Sequence, residues 1–186
     1  MRKDFGAKPI CYPQPVFIIA TYDEDGTPNA MNAAWGGIHD TDELFMCISA
    51  SHKTTKNIIR SNAFTVSMAD AAHTAACDYV GLVSGNNTPD KFAKAGFHAV
   101  KAPNVDAPLI EELAVALECK LKSYNESTGE LVAKIVNVSI DESILDENGK
   151  INFDLYEPIT FDPVNNEYRK LGAKAGDAFK SGSSLK

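Results

Sequence analysis

Hydrophobic and polar positions divide this chain into short strand-like segments, some alternating and some apolar throughout, separated by turns and a few brief helical stretches. Val16-Phe17-Ile18-Ile19-Ala20-Thr21-Tyr22 is rich in β-branched and aromatic residues and apolar on both faces, as expected of a strand covered from both sides. Asp23-Glu24-Asp25-Gly26 supplies a hairpin turn, and residues 27–35 are the expected return strand, on which Asn29 and Asn32 fall on opposite faces. Residues 44–48 and 64–68 follow as a third and a fourth strand, the latter with Phe64, Val66 and Met68 on one face. Between them, Gly36-Gly37 and residues 40–43 read as loop. Further on, Val115, Leu117, Cys119 and Leu121 alternate with Glu118, Lys120 and Lys122, the pattern of a half-buried strand. Residues 131–140 read as its antiparallel partner, and residues 159–161 with 167–170 as a last hairpin.

The helical stretches are short. Residues 54–60 carry one, and the alanine-rich residues 71–79 another. Thr88-Pro89-Asp90 starts a third, with Thr88 as N-cap and Pro89 in the first turn, ending at Gly96. Glu111-Glu112 reads as a further helix start on a solvated acidic turn. Residues 1–15, with Pro9, Pro13 and Pro15, form an extended lead-in, and the Gly-, Ala-, Ser- and Lys-rich residues 172–186 a tail that is mobile or draped over a partner. The whole is a mainly β chain with short helices, a barrel rather than a doubly wound sheet, in one domain spanning residues 1–186.

Composition narrows the chemistry. A net charge of −7 argues against general affinity for nucleic acid or for an anionic membrane, and no apolar run approaches the length of a membrane span. The N-terminus has no apolar signal core. Cys11, Cys47, Cys77 and Cys119 match no zinc spacing, and unpaired thiols fit a reducing cytoplasm. The scattered histidines suggest no metal site, and no Ser/His/Asp or Cys/His pattern marks a catalytic residue. A Gly-x-Gly-x-x-Gly fingerprint is missing, so a Rossmann nicotinamide site is not expected.

One stretch stands out against the acidic background. Ser51-His52-Lys53-Thr54-Thr55-Lys56-Asn57 joins the third strand to the first helix. Free amides at a helix N-terminus, hydroxyls on Ser51, Thr54 and Thr55, and the ammonium groups of Lys53 and Lys56 together suit a phosphate. The same residues also make an ordinary capped helix with a basic solvated face.

Asn29-Ala30-Met31-Asn32-Ala33-Ala34-Trp35, the stretch from Ser51 to Ile58, and Phe64-Thr65-Val66-Ser67 together resemble the flavin reductase-like, FMN-binding split barrels, in particular the flavoredoxin branch. The resemblance continues in order through residues 77–85 and 90–96 to Tyr168-Arg169-Lys170-Leu171-Gly172, nearly the whole chain. It implies a six-stranded, Greek-key-like split barrel and an obligate homodimer, with one non-covalent FMN per subunit near the interface. Electrons would pass between NAD(P)H, docking transiently, or a protein donor, and flavin or a redox partner. The alternative is a flavin store or sensor without turnover; a pyridoxal-phosphate or haem protein on the same barrel is remoter. In this frame Asn32, Ala33, Ala34 and Trp35 lie against the ring, with Asn32 supplying both a donor and an acceptor to its polar edge. Ser49 and Ala50 pass along ring and ribityl chain. Ser51, His52, Lys53, Thr54 and Lys56 take the phosphate. Tyr79 and Ser84-Gly85 close the other side of the pocket, or Tyr79 belongs to the core.

Overall fold

The computed structural model describes residues 1–185, so Lys186 of the predicted tail lies outside the described residues. In chain order the elements are β1 (Phe17–Tyr22), β2 (Pro28–Ala33), β3 (Gly36–Asp40), β4 (Glu43–Cys47), α1 (Lys53–Ser61), β5 (Ala63–Met68), α2 (Thr74–Leu82) and α3 (Lys91–Lys94). They continue with β6 (Ala99–Lys101), β7 (Pro108–Ile110), β8 (Val115–Asn125), β9 (Glu130–Ile140), β10 (Ile159–Asp162) and β11 (Glu167–Lys170). Seven strands form one antiparallel sheet in the order β2-β1-β5-β8-β9-β4-β3, and β6-β7 and β10-β11 are two-stranded hairpins beside it.

That sheet curls on itself. Phe17 and Ile19 of β1 share one core with Leu44 and Met46 of β4, Phe64 and Val66 of β5, and Leu131 and Ala133 of β9, although β1 and β4 are far apart in the strand order. The closure is tight at Gly36, where a Cβ would lie 2.6 Å from the Phe45 carbonyl oxygen and 2.9 Å from a ring carbon of Phe17. The alternate side chains of the first strand, Ile18 and Ala20, point the other way into a second core with Cys77 and Val80 of α2, Phe92 and Ile110. The strand is thus buried on both faces, and each large apolar side chain removed from water contributes about 2 kcal/mol.

The architecture is the mainly β split barrel expected, with a different strand count. Seven strands replace six because residues 36–40, which begin and end in the stretches Gly36-Gly37 and 40–43 expected as loop, pair as an edge strand with β4, Gly36 opposite Met46 and Ile38 opposite Leu44. Bare glycine backbone can approach Phe17 where a side chain cannot. Other boundaries move for local reasons. The first turn before α2 is occupied by Asp70, whose carboxylate accepts from the His73 backbone N–H at 2.9 Å and meets its ring Nδ1 at 2.8 Å, so the helix starts at Thr74. Thr88 does not cap α3: the N-cap is Asp90, without a side-chain cap bond, and the helix covers four residues. Glu111 and Glu112 follow β7 in a turn rather than opening a helix, and Glu112 accepts from the His98 backbone N–H at 3.0 Å.

Glu118 departs from its alternation pattern. It is fully buried, accepting from Asn104 N at 2.7 Å, Asn104 Nδ2 at 3.0 Å and Asn137 Nδ2 at 2.7 Å. Desolvation pushes its carboxyl up, but these three donors outweigh it and hold the group below the usual glutamate range. A register shift between Glu118 and Cys119 accompanies this buried carboxylate. Among the described residues no helix is long and apolar enough to cross a membrane.

Candidate functional site

The site grows from the link between β4 and α1. Ile48 is held on both sides, its N–H donating to the Gly129 carbonyl at 2.9 Å and its own carbonyl accepting from Tyr124 Oη at 3.0 Å. Residues 49–52 then fold into a compact turn, with His52 N–H to the Ser49 carbonyl at 3.2 Å and Thr55 Oγ1 to the same carbonyl at 2.8 Å. His52 is the N-cap of α1 in extended conformation, and its ring makes no cap bond. The first helical bond runs from Lys56 N–H to the His52 carbonyl at 3.2 Å. The amides ahead of it, on Lys53, Thr54 and Thr55, are left for an outside acceptor, at the positive end of the helix dipole.

Side chains from other elements hold this helix start in place. Asn29 Nδ2 donates to Thr54 Oγ1 at 2.8 Å in a buried contact. Asp23 ties the β1–β2 turn to α1 twice, accepting from Asn57 Nδ2 at 2.7 Å and pairing with Lys53 Nζ at 2.5 Å. Lys53 is therefore shared between Asp23 and the recess it borders, not a free cation.

Two adjoining recesses meet here and share Met31, Asn32 and His52. The wider, about 590 Å³, is bordered by Asn32, Ala33, Ala34 and Trp35, by Ser49, Ala50 and His52, and by residues 126–129 of the β8–β9 turn. The narrower, about 220 Å³, runs over Lys53 and Thr54 toward residues 80–85 and Lys91. A Cβ on Gly85 would sit 2.3 Å from Asn29 Oδ1 and 3.2 Å from Lys53 Cδ, so that wall is shaped by the absence of a side chain. Lys91 is 3 % exposed, and its Nζ donates to the Val80 carbonyl at 2.8 Å and the Val83 carbonyl at 2.9 Å. Burial pulls its ammonium down to about 8, with Asp23 offsetting this and Lys53 adding repulsion. Burial, then the Lys91 charge, also lowers His52, which keeps that ring neutral near pH 7.

Of the residues singled out in the sequence, the groove brings together Asn32, Ala33, Ala34, Trp35, Ser49, Ala50, His52, Lys53 and Thr54, with Ser84 and Gly85 opposite. It does not include the other three. Ser51 Oγ meets Ser49 Oγ at 2.9 Å in an exposed contact ahead of the helix start. Lys56 borders a separate recess of about 580 Å³ with Arg60 and the acidic turn Asp23-Glu24-Asp25. Tyr79 packs against the core formed by Ile18, Cys77 and Val80. Asn32 also differs from expectation. Its amide nitrogen is used twice within the protein, donating to the Cys77 carbonyl at 3.1 Å and to Tyr168 Oη at 3.3 Å, so only its oxygen remains for a ligand.

The chain matches the model of the flavin reductase like domain over residues 10–163. It belongs to the flavin reductase-like family. Its fold matches flavoredoxin of Desulfovibrio vulgaris (Miyazaki F) with a TM-score of 0.92 at 36% identity, covering 98% of this chain and 100% of that one. It matches flavoredoxin from Methanosarcina acetivorans with a TM-score of 0.89 at 26% identity, covering 100% of both chains. The FMN-binding domain of a flavin reductases-like enzyme from Shewanella baltica OS155 shares the fold, with a TM-score of 0.79 at 18% identity over 88% of this chain and 89% of that one. Within this FMN-binding split-barrel family, the chain lies on the flavoredoxin branch.

Two parts of the groove escape a reading of the sequence alone. Lys91 sits in a lysine-containing stretch that looks like any solvated helix face, and only the fold carries it under the end of α2. Residues 126–129 reach the groove from the far end of the β8–β9 hairpin, which no local pattern announces. Outside the groove, the fold also gathers His98, Glu111 and Glu112 at the surface, their ligand atoms all within 4.8 Å of one another.

Proposed function

We propose that the groove holds one non-covalent FMN and that the protein is an FMN-dependent oxidoreductase or electron carrier of the flavoredoxin kind. The observation that carries this reading is the continuity of the groove from a small-residue strand to the free amides of a helix N-terminus. A flat ring fits the wider recess, where Ala33 and Ala34 let it approach the backbone and Trp35 flanks it. The ribityl phosphate fits the narrower recess, where Thr54, Lys53, Lys91 and the α1 amides converge. The gap at Gly85, which a Cβ would fill, is consistent with that fit.

When bound, the isoalloxazine supplies the redox chemistry; the protein binds, orients and tunes it. Thr54 is held by Asn29 at a fixed angle, so its hydroxyl is preorganised as a phosphate partner. Neutral His52, at the junction of the two recesses, can donate or accept a hydrogen bond without adding a charge beside the ring. The turn at residues 126–129 walls the outer side of the wider recess and limits water there.

The protein is further proposed to act as a cytoplasmic homodimer with the flavin near its interface. Trp35 is 45 % exposed at the groove and Ile38 is 68 % exposed on the neighbouring edge strand, an apolar rim suited to a second copy. Light scattering of the purified protein should give twice the chain mass. The donor is decided by one experiment. Freshly purified protein should be yellow, and its colour should bleach anaerobically with NAD(P)H or with a reduced ferredoxin. A colourless protein that takes up no added FMN refutes the reading; a yellow one that no donor reduces is a flavin store or sensor.

A further inference from the structure

Asn32 is held by groups of α2 and β11, and every bond that holds it has a fixed direction. Its Nδ2 lies 3.1 Å from the Cys77 carbonyl, which can only accept, so the amide nitrogen must face α2. The same nitrogen lies 3.3 Å from Tyr168 Oη. The Tyr168 hydroxyl donates at 2.7 Å to Asp78 Oδ1, so it meets the Asn32 N–H with a lone pair. Burial, then the bond to Asp78, pushes the Tyr168 phenol well above its ordinary value, so it stays a donor at physiological pH. Gly81 closes the same corner: a Cβ there would lie 2.9 Å from Asn32 Cβ. With Nδ2 committed twice, Asn32 Oδ1 has no partner among the described residues, while Asn32 borders both recesses.

We propose that Asp78 and Tyr168 are positioning residues for the flavin pocket, locking the Asn32 amide so that its carbonyl oxygen alone meets the polar edge of the ring. The inference rests on the FMN reading above and deepens it. An amide free to turn offers a donor and an acceptor alternately. One pinned through both N–H bonds offers an acceptor only, and what it selects is a ring N–H. Oxidised flavin carries such a group at N3. A ligand edge with acceptors alone would leave the Asn32 oxygen unpaired.

The test is equilibrium FMN binding to the full-length wild type, Tyr168→Phe, Asn32→Ala and the double variant, with inorganic phosphate as a competitor in each. Phenylalanine keeps the ring that packs 6.1 Å from Phe161, so the fold should survive. Each single variant is expected to weaken FMN binding about three- to tenfold, the range of one net hydrogen bond. The double variant should be no weaker than the weaker single one within about twofold, because Tyr168 acts only through Asn32. The competition constant of phosphate, held at the α1 end, should not change. Losses that multiply in the double variant, or an equal loss of phosphate affinity, overturn the inference while leaving the FMN reading intact. A wild type that takes up no FMN overturns both. Should Tyr168→Phe not fold, Asp78→Ala breaks the same chain from its other end and must give the same pattern.

Discussion

At Lys91 an ammonium with three donors uses two of them on the Val80 and Val83 carbonyls and has one to spare, with its charge facing the narrower recess. Because burial has brought it down to about 8, it loses its proton in the free protein over a range where an exposed lysine would not. Folded below its ordinary 10.5, the group binds fewer protons in the native than in the unfolded state between those values. The free protein therefore gains stability as pH rises from 8 to 10.5, and the full burial cost applies below 8. A bound phosphate reverses the local balance by favouring the charged form. FMN binding should then take up a proton above pH 8, and affinity should fall as pH rises through that value. We expect the Kd to rise about tenfold between roughly pH 7 and pH 9.5, measured by fluorescence titration, the factor corresponding to one shifted unit. In Lys91→Met this slope should vanish, although His52, Lys53 and Asp23 remain around the recess. A slope that survives the substitution places the titrating group elsewhere.

The connection after α2 is built around missing side-chain volume. Gly85→Ala drives a methyl against Asn29 Oδ1, and Asn29 is the buried residue that holds Thr54. The expected cost is about 1–3 kcal/mol, or several degrees in Tm, together with weaker FMN binding, since the helix start is displaced. Calorimetry beside a binding titration checks both. Elsewhere, at the β6–β7 hairpin, His98 and Glu112 form a pair with a pH window. The bond His98 donates to Glu112, then the Glu112 charge, raises His98; for Glu112, desolvation pushes up but the ring and backbone donors of His98 win and the carboxyl ends lowered. The histidine's share of stability is present below its unfolded value and lost as pH rises through the folded one. The glutamate's is present above its unfolded value and lost as pH falls. Both hold between about pH 4.5 and 6.5. His98→Ala should thus lower Tm more at about pH 5.5 than at about pH 8.5. These elements also show what was legible beforehand. The helix start after Ser51 could be read because its hydroxyls, lysines and following apolar residues are contiguous. β5 and β8 could be read from period two, and β1 from its run of β-branched and aromatic residues. Gly36-Gly37 could not, since nothing in two glycines says that they pair at an edge, and neither could Glu118, whose three donors come from distant segments.

On the scale of the whole molecule, the groove is walled by segments far apart in the chain: the end of β2, the β4–α1 link, the α2–α3 connection and the β8–β9 turn. No short piece of the unfolded chain reproduces it, so a ligand that binds there stabilises the native state alone. The gain follows from mass action. FMN at about a hundred times its Kd should add about 2.7 kcal/mol. For a domain of this length each kcal/mol is worth about 2–4 °C, so the melting temperature should rise by about 5–11 °C. Riboflavin carries the same ring without the phosphate, and it separates the two halves of the groove. If the α1 amides, Thr54, Lys53 and Lys91 provide the phosphate end, riboflavin at equal concentration should give a much smaller shift. An equal shift from the two ligands would mean that the narrower recess contributes nothing, and the phosphate would have to be placed in solvent or beside Lys56 and Arg60 instead.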